Sequence, residues 1–126
     1  MRTDKTRTLP AFFTQVIGSL PRPKLVLDLH ARRSEMPEKR FNAVLDEMVV
    51  FAIRLQEEAG LDVVSDGEWR RVHYVGEFLK RIGGFENIRP FEHAGEKKYH
   101  LVVTSKMKAG EPVFVHDAEF LVGHTN

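Results

Sequence analysis

The segment Leu61-Asp62-Val63-Val64-Ser65-Asp66-Gly67-Glu68-Trp69-Arg70-Arg71 changes character halfway along its length. Leu61, Val63 and Val64 are apolar, and the residues that follow turn polar at once. A buried parallel strand that carries side chains to a rim has this pattern. The strand packs, and the residues past its C-terminal end meet solvent or ligand. Gly67 lets the backbone turn or approach a ligand closely. Glu68 then stands at the mouth, with Arg70 and Arg71 beside it. Sites in α/β folds and barrels lie at the carboxyl ends of strands, which makes Glu68 a candidate functional residue. The plainer alternative is a solvated Glu–Arg pair of little energetic consequence.

Upstream, Ala11 to Ile17 reads as a second short buried strand, ending at Gly18-Ser19-Leu20-Pro21-Arg22-Pro23. Gly18 permits close backbone approach, and Ser19 offers a hydroxyl and an amide N–H. The alternative here is an ordinary turn before a helix, since Gly, Ser and Pro are common turn residues. Two helices follow. Pro23 to Arg33 places Leu25, Leu29 and Val26 on one face, with cations at its C-terminal end. Pro37 to Ala59 carries Phe41, Val44, Leu45, Met48, Phe51, Ala52, Leu55 and Ala59 at intervals of 3–4 residues, and Gly60 suits the position after its end. Glu47, Arg54, Glu57 and Glu58 form a solvated face. Strand, helices, strand describes a βαβ-type unit with a parallel pair and a right-handed crossover.

Downstream, Tyr74 to Ile82 reads as a helix stopped by Gly83-Gly84, and Phe85 to Glu96 as a loop containing a proline. Tyr99 to Met107 is β-rich. Lys108 to Glu111 then turns the chain and Pro112 to Val115 pairs back, a hairpin excursion over 97–116. Asp117 caps a final helix, Ala118 to Val122. Residues 1–10 form a flexible lead-in. The histidines, His30 among them, read as structural or surface residues without the spacing of a helical zinc site.

The 126 residues suit one domain, and 42% hydrophobic with 29% charged residues is ordinary for a globular protein. A net charge of +1 gives no reason to expect nucleic acid or an acidic membrane as partner. With no cysteine, the chain has no disulfide and no thiolate metal site, which fits a reducing, cytoplasmic compartment. No apolar run approaches the ~20 residues of a membrane span, and no secretory signal is evident. One physical difficulty remains. Two parallel strands leave both sheet edges open, and the apolar helix stripes exceed the sheet available to cover them.

Val16-Ile17-Gly18-Ser19-Leu20-Pro21-Arg22-Pro23, together with Leu55 through Arg71, resembles the cobalamin-independent methionine synthase family, in its C-terminal catalytic barrel and single-barrel relatives. The likeness covers most of Thr14 to Asn126. It implies an α/β chain forming part of a TIM (β/α)₈ barrel: two β/α units plus a β-hairpin insertion, with Val16 on strand 1, Val63-Val64 on strand 2, and the chain ending before strand 3. It also implies that Ile17, Gly18 and Ser19 hold the carboxylate of homocysteine, that Glu68 binds its ammonium group, and that Arg71 orients Glu68 or a substrate carboxylate. Family chemistry is methyl transfer from a methyltetrahydrofolate to a zinc-bound thiolate, with zinc ligands on later strands absent from this chain. Two functions follow. One is an enzyme portion supplying the amino-acid end of such a site, for homocysteine or a related thiol, completed by the missing barrel portion. The other is a truncated, non-catalytic barrel fragment acting as a homo-oligomer or binding module.

Overall fold

The computed structural model describes residues 9–71, 76, 79, 81–110 and 112–125. Their chain falls into two compact units, one of residues up to Arg71 together with His116 onward, the other Val72–Val115. In the first, helix α1 (Lys24–Ala31) and a short 3₁₀ turn (Arg33–Glu35) lead into the long helix α2 (Glu38–Glu58). Pro23 and Pro37 sit at the two N-caps, where a missing N–H costs nothing. The end of α2 is closed by a Schellman motif. Gly60, at φ +77°, donates its N–H to Glu57 and Leu61 donates to Gln56. The chain then enters the Leu61 segment, where Val63 donates to Thr14 and a parallel bridge joins Gln15 to Val63. The expected strand over Ala11–Ile17 is thus reduced to a single bridge, with a turn at Ala11-Phe12. Helix α3, at Val115–His124, starts before the expected Ala118, and Asp117 lies in its first turn.

Two apolar clusters organise this unit. Val26, Val49, Ala52, Ile53 and Trp69 form the larger, flanked by Leu20, Met48, Val64, Phe120 and Leu121. Leu29, Phe41 and Leu45 form the smaller. The buried face of α2 is therefore Phe41, Leu45, Val49, Ala52, Ile53 and Gln56, rotated from the expected stripe. Phe51 and Leu55 are half exposed, because Val49 and Ile53 meet both Trp69 and α1. On α1 the same correction applies: Val26 is buried and Leu25 is exposed. No helix among the described residues is long and apolar enough to cross a membrane.

The described residues of the second unit hold a long antiparallel hairpin, β1 (Ile82–His93) with β2 (Glu96–Ala109). Ile82 lies opposite Ala109 and His93 opposite Glu96, with register shifts between Gly83 and Phe85 and between Asn87 and Arg89. Ala94 and Gly95, both at positive φ, make the two-residue turn. This replaces the hairpin expected over 97–116 and the loop expected at Phe85–Glu96. Pro90 argued against a strand, yet in a two-stranded sheet each strand is an edge, where a missing N–H is tolerated. The helix expected over Tyr74–Ile82 lies largely outside the described residues, and Ile82 itself begins β1.

Gln56 is the buried polar group that joins helix to strand end. Its Nε2 donates to Ala52 O and Ser65 O, each at 2.8 Å, and its Oε1 accepts from the Ser65 N–H at 3.1 Å. Gln56→Leu keeps the volume and strands both Ser65 backbone groups. The expected loss is about 2–4 kcal/mol by urea unfolding, at ~1–3 kcal/mol per buried orphan. A loss well under 1 kcal/mol would mean that Ser65 is rehydrated instead.

At the other end of the bridge, Asp62 Oδ2 accepts from the Thr14 N–H at 2.8 Å and the Thr14 hydroxyl at 2.9 Å. These bonds, the backbone one first, hold the Asp62 carboxyl below its ordinary range. A depressed folded-state value contributes stability that is present above the unfolded-state value and lost as pH falls through the folded one. In acid titrations of stability, the gap between wild type and Asp62→Asn is expected to close over that window. A gap unchanged below it would contradict the assignment.

Candidate functional site

The two loops singled out in the sequence meet. Leu20 donates its N–H to Gly67 O at 3.1 Å, and the Trp69 indole N–H donates to Leu20 O at 3.2 Å. Trp69 is 1% exposed and is gripped from its other end by His30, whose Nε2 lies 2.7 Å from Trp69 O. A carbonyl only accepts, so His30 carries its proton on Nε2. The buried indole anchors the loop immediately beyond Glu68, a role that sequence reading did not assign to it. A lone Trp beside a polar turn was the available signal.

Gly67 must be glycine on two counts. Its φ is +66°, and a Cβ there would stand 3.2 Å from Leu20 Cδ1 and 3.3 Å from both Ala52 Cβ and Trp69 Nε1. Glu68 follows at φ +56°, an unusual backbone conformation for a side chain of its size. Asp66 stabilises this turn. It is buried, and its Oδ1 accepts the Glu68 N–H at 3.0 Å.

The Glu68 carboxylate is held at both oxygens. The Ser19 hydroxyl donates to Oε2 at 2.7 Å, and Arg71 Nη1 donates to Oε1 at 3.4 Å. Arg71 Nη2 also lies 3.8 Å from Asp66 Oδ2. Glu68 and Arg71 side chains are 22% and 17% exposed, so this is no freely solvated pair. Arg70, expected beside Glu68, turns away. It pairs with Asp46 at 2.5 Å and Asp117 at 3.4 Å, and its guanidinium covers the Phe120 ring at 4.5 Å. Successive residues of an extended chain leave in opposite directions, and Arg71 meets Glu68 and Asp66 at the mouth.

Ile17, Gly18 and Ser19 lie on the exposed side of the same loop. Ile17 is 88% exposed. Gly18 is at φ +82°. Among the described residues the Gly18 and Ser19 amides meet no acceptor. Arg22 was not singled out from the sequence, yet its Nη2 donates to Glu68 O at 2.9 Å and to Arg71 O at 2.6 Å. The arrangement offers one carboxylate at a partly open mouth, with a hydroxyl and two amide donors adjoining it. That set suits a small zwitterion, the carboxylate facing its ammonium and the donors its carboxylate. Among the described residues no group of three or more His, Cys, Asp or Glu is placed to hold a metal ion.

Residues 12–94 match the family described as cobalamin-independent synthase, catalytic domain. A methionine synthase of Sulfolobus acidocaldarius is 34% identical over 122 residues, covering 94% of this chain and 35% of that protein. A 5-methyltetrahydropteroyltriglutamate–homocysteine methyltransferase of Thermosynechococcus vestitus is 39% identical over 80 residues, 62% of this chain and 11% of that one. Among solved structures, a putative vitamin-B12-independent methionine synthase from Listeria monocytogenes superposes with a TM-score of 0.71 at 21% identity, covering 94% of this chain and 34% of that one. The chain thus spans about a third of the length of such relatives, or less. With the family's description matched across two thirds of its residues, including both loops of the site, this chain belongs to the cobalamin-independent synthase catalytic-domain family.

Proposed function

We propose that this chain supplies the amino-acid-binding part of a methyltransferase that methylates the thiol of homocysteine. The carrying observation is the Ser19–Glu68 contact, which draws the two loops around one carboxylate. Homocysteine presents an ammonium, a carboxylate and a thiol. Its ammonium brings three N–H donors to Glu68 and displaces the Ser19 hydroxyl, which is then released to donate to the substrate carboxylate. The unengaged Gly18 and Ser19 amides complete that carboxylate's cradle. Arg71 stays on Oε1 and keeps the Glu68 side chain from swinging out. The thiol end is left pointing away from both loops.

In the same reading the Gln15–Val63 bridge marks adjacent strands 1 and 2 of a (β/α)₈ barrel, with α1 and α2 as the crossover and both site loops at the carboxyl ends of those strands. The methyl donor is a methyltetrahydrofolate, and the setting is cytoplasmic. Zinc, which would supply an activated thiolate, is not matched by the described residues of this chain. The role proposed here therefore stops at the amino-acid end of the substrate.

One observation favours a second reading, a binding module that covers apolar surface by self-association: Phe12 is 95% exposed and Leu25, Phe51 and Leu55 are also uncovered. Light scattering separates the two, since a compact monomer at 14.5 kDa would remove the second.

The direct check on the first reading is calorimetric titration with L-homocysteine. Glu68→Gln keeps the shape and removes the charge. It is expected to weaken binding by about 1.5–3 kcal/mol, the scale of a hydrogen bond to a charged group. Equal affinity in wild type and variant would rule out Glu68 as the ammonium ligand.

A further inference from the structure

Among the described residues, only Glu68 and Ala94 combine a side chain with positive φ. Ala94 sits in a two-residue hairpin turn that calls for that conformation. Glu68 also lies in a turn, after Gly67 at φ +66°, but it brings a long charged side chain to that conformation, and among the described residues no strand pairing flanks it. A residue persists in this region only where its surroundings over-determine it. Asp66 holds the Glu68 N–H, and the peptide on the other side of Glu68 is held by Arg22. One guanidinium nitrogen, Nη2, donates to both Glu68 O and Arg71 O. The Arg71 N–H also donates to Glu68 O, at 3.3 Å, so the Arg22 contact spans the ends of a closed turn.

Arg22 lies three residues beyond Ser19, between Pro21 and Pro23, whose rings restrict the backbone on either side. One short loop therefore reaches Glu68 twice, with Ser19 on its carboxylate and Arg22 on its carbonyl. We propose that Arg22 is a positioning residue of the amino-acid site: it holds the Glu68 peptide in the left-handed conformation that keeps the carboxylate against Ser19. The ligand in this inference rests on the function proposed above, whereas the grip on the turn does not. Trp69, Leu20 and Gly67 keep the two loops together without Arg22, so its removal frees the turn and leaves the unit folded.

The test uses the full chain as wild type, Arg22→Met, Arg22→Lys, Glu68→Gln and the Arg22→Met/Glu68→Gln double variant. L-Homocysteine affinity is measured by calorimetry, and the HN–Hα coupling and Cα shift of Glu68 by NMR. Arg22→Met is expected to bind about tenfold more weakly, the effect of losing hydrogen bonds from a charged donor. Its Glu68 coupling is expected to leave the left-handed value, and the double variant to bind no more weakly than Glu68→Gln alone. Arg22→Lys, which keeps a cationic donor, recovers part of the affinity. Should Arg22→Met fail to fold, Arg22→Lys carries the comparison, with a smaller shift in the same direction. Full affinity in the Arg22 variants beside weakened Glu68→Gln would overturn the positioning role and leave the site standing. No binding by wild type would overturn the site itself. The Glu68 coupling then decides the grip alone: displaced in the Arg22 variants it stands, unmoved it falls.

Discussion

The burial of Trp69 is the contact on which the helical unit depends. Its ring packs in one buried cluster with Val26 of α1 and with Val49, Ala52 and Ile53 of α2. Two of its polar groups bond to neighbouring elements, the indole N–H to Leu20 O and the carbonyl to His30. A side chain of this size removes a large apolar area from water, and the same event draws the Leu20 loop and the Gly67 turn to one place. The buried ring thus sets where Glu68 can stand, one residue before it. Gly67 is the price of that closeness, since any Cβ would meet Leu20, Ala52 and the indole.

Around this anchor, three arginines with similar chemistry take different tasks. Arg70 joins α2 to α3 through Asp46 and Asp117 and lies over Phe120. Arg71 reaches the Glu68 carboxylate. Among the described residues Arg22 reaches the carbonyls of Glu68 and Arg71. A guanidinium is well suited to all three, being planar, permanently charged and rich in donors. What separates them is the acceptor that the fold brings within reach, and that acceptor is set by backbone direction after the turn.

The hairpin unit follows other rules. Leu101, Val103 and Met107 of its strands are exposed. Its order comes from ladder hydrogen bonds, from the turn at Ala94-Gly95, and from the Gly110 N–H to Arg81 O bond closing the base. A ladder of this length tolerates Pro90 and two register shifts, features that in a buried sheet would argue against a strand.

The amino-acid sequence by itself determined the helices and the site's two loops. Apolar residues at helical spacing, prolines at the starts and Gly60 at the end are local signals, and α1 and α2 lie within a residue or two of where they point. The Gly-Ser and Gly-Glu loops were legible because glycine beside a polar residue after an apolar run has few other uses, and their joint spacing carried the family resemblance. Only the tertiary structure decided which face of α2 is buried, because Val49 and Ile53 gain their partners from α1 and Trp69, distant in sequence. It decided that Arg70 turns away and that Arg22 turns in, since each choice depends on an acceptor tens of residues off. It also decided the hairpin's register. An Ala-Gly turn is a weak local signal, and cross-strand pairing over its whole length outweighs the stronger turn chemistry that the sequence displays at Lys108–Glu111.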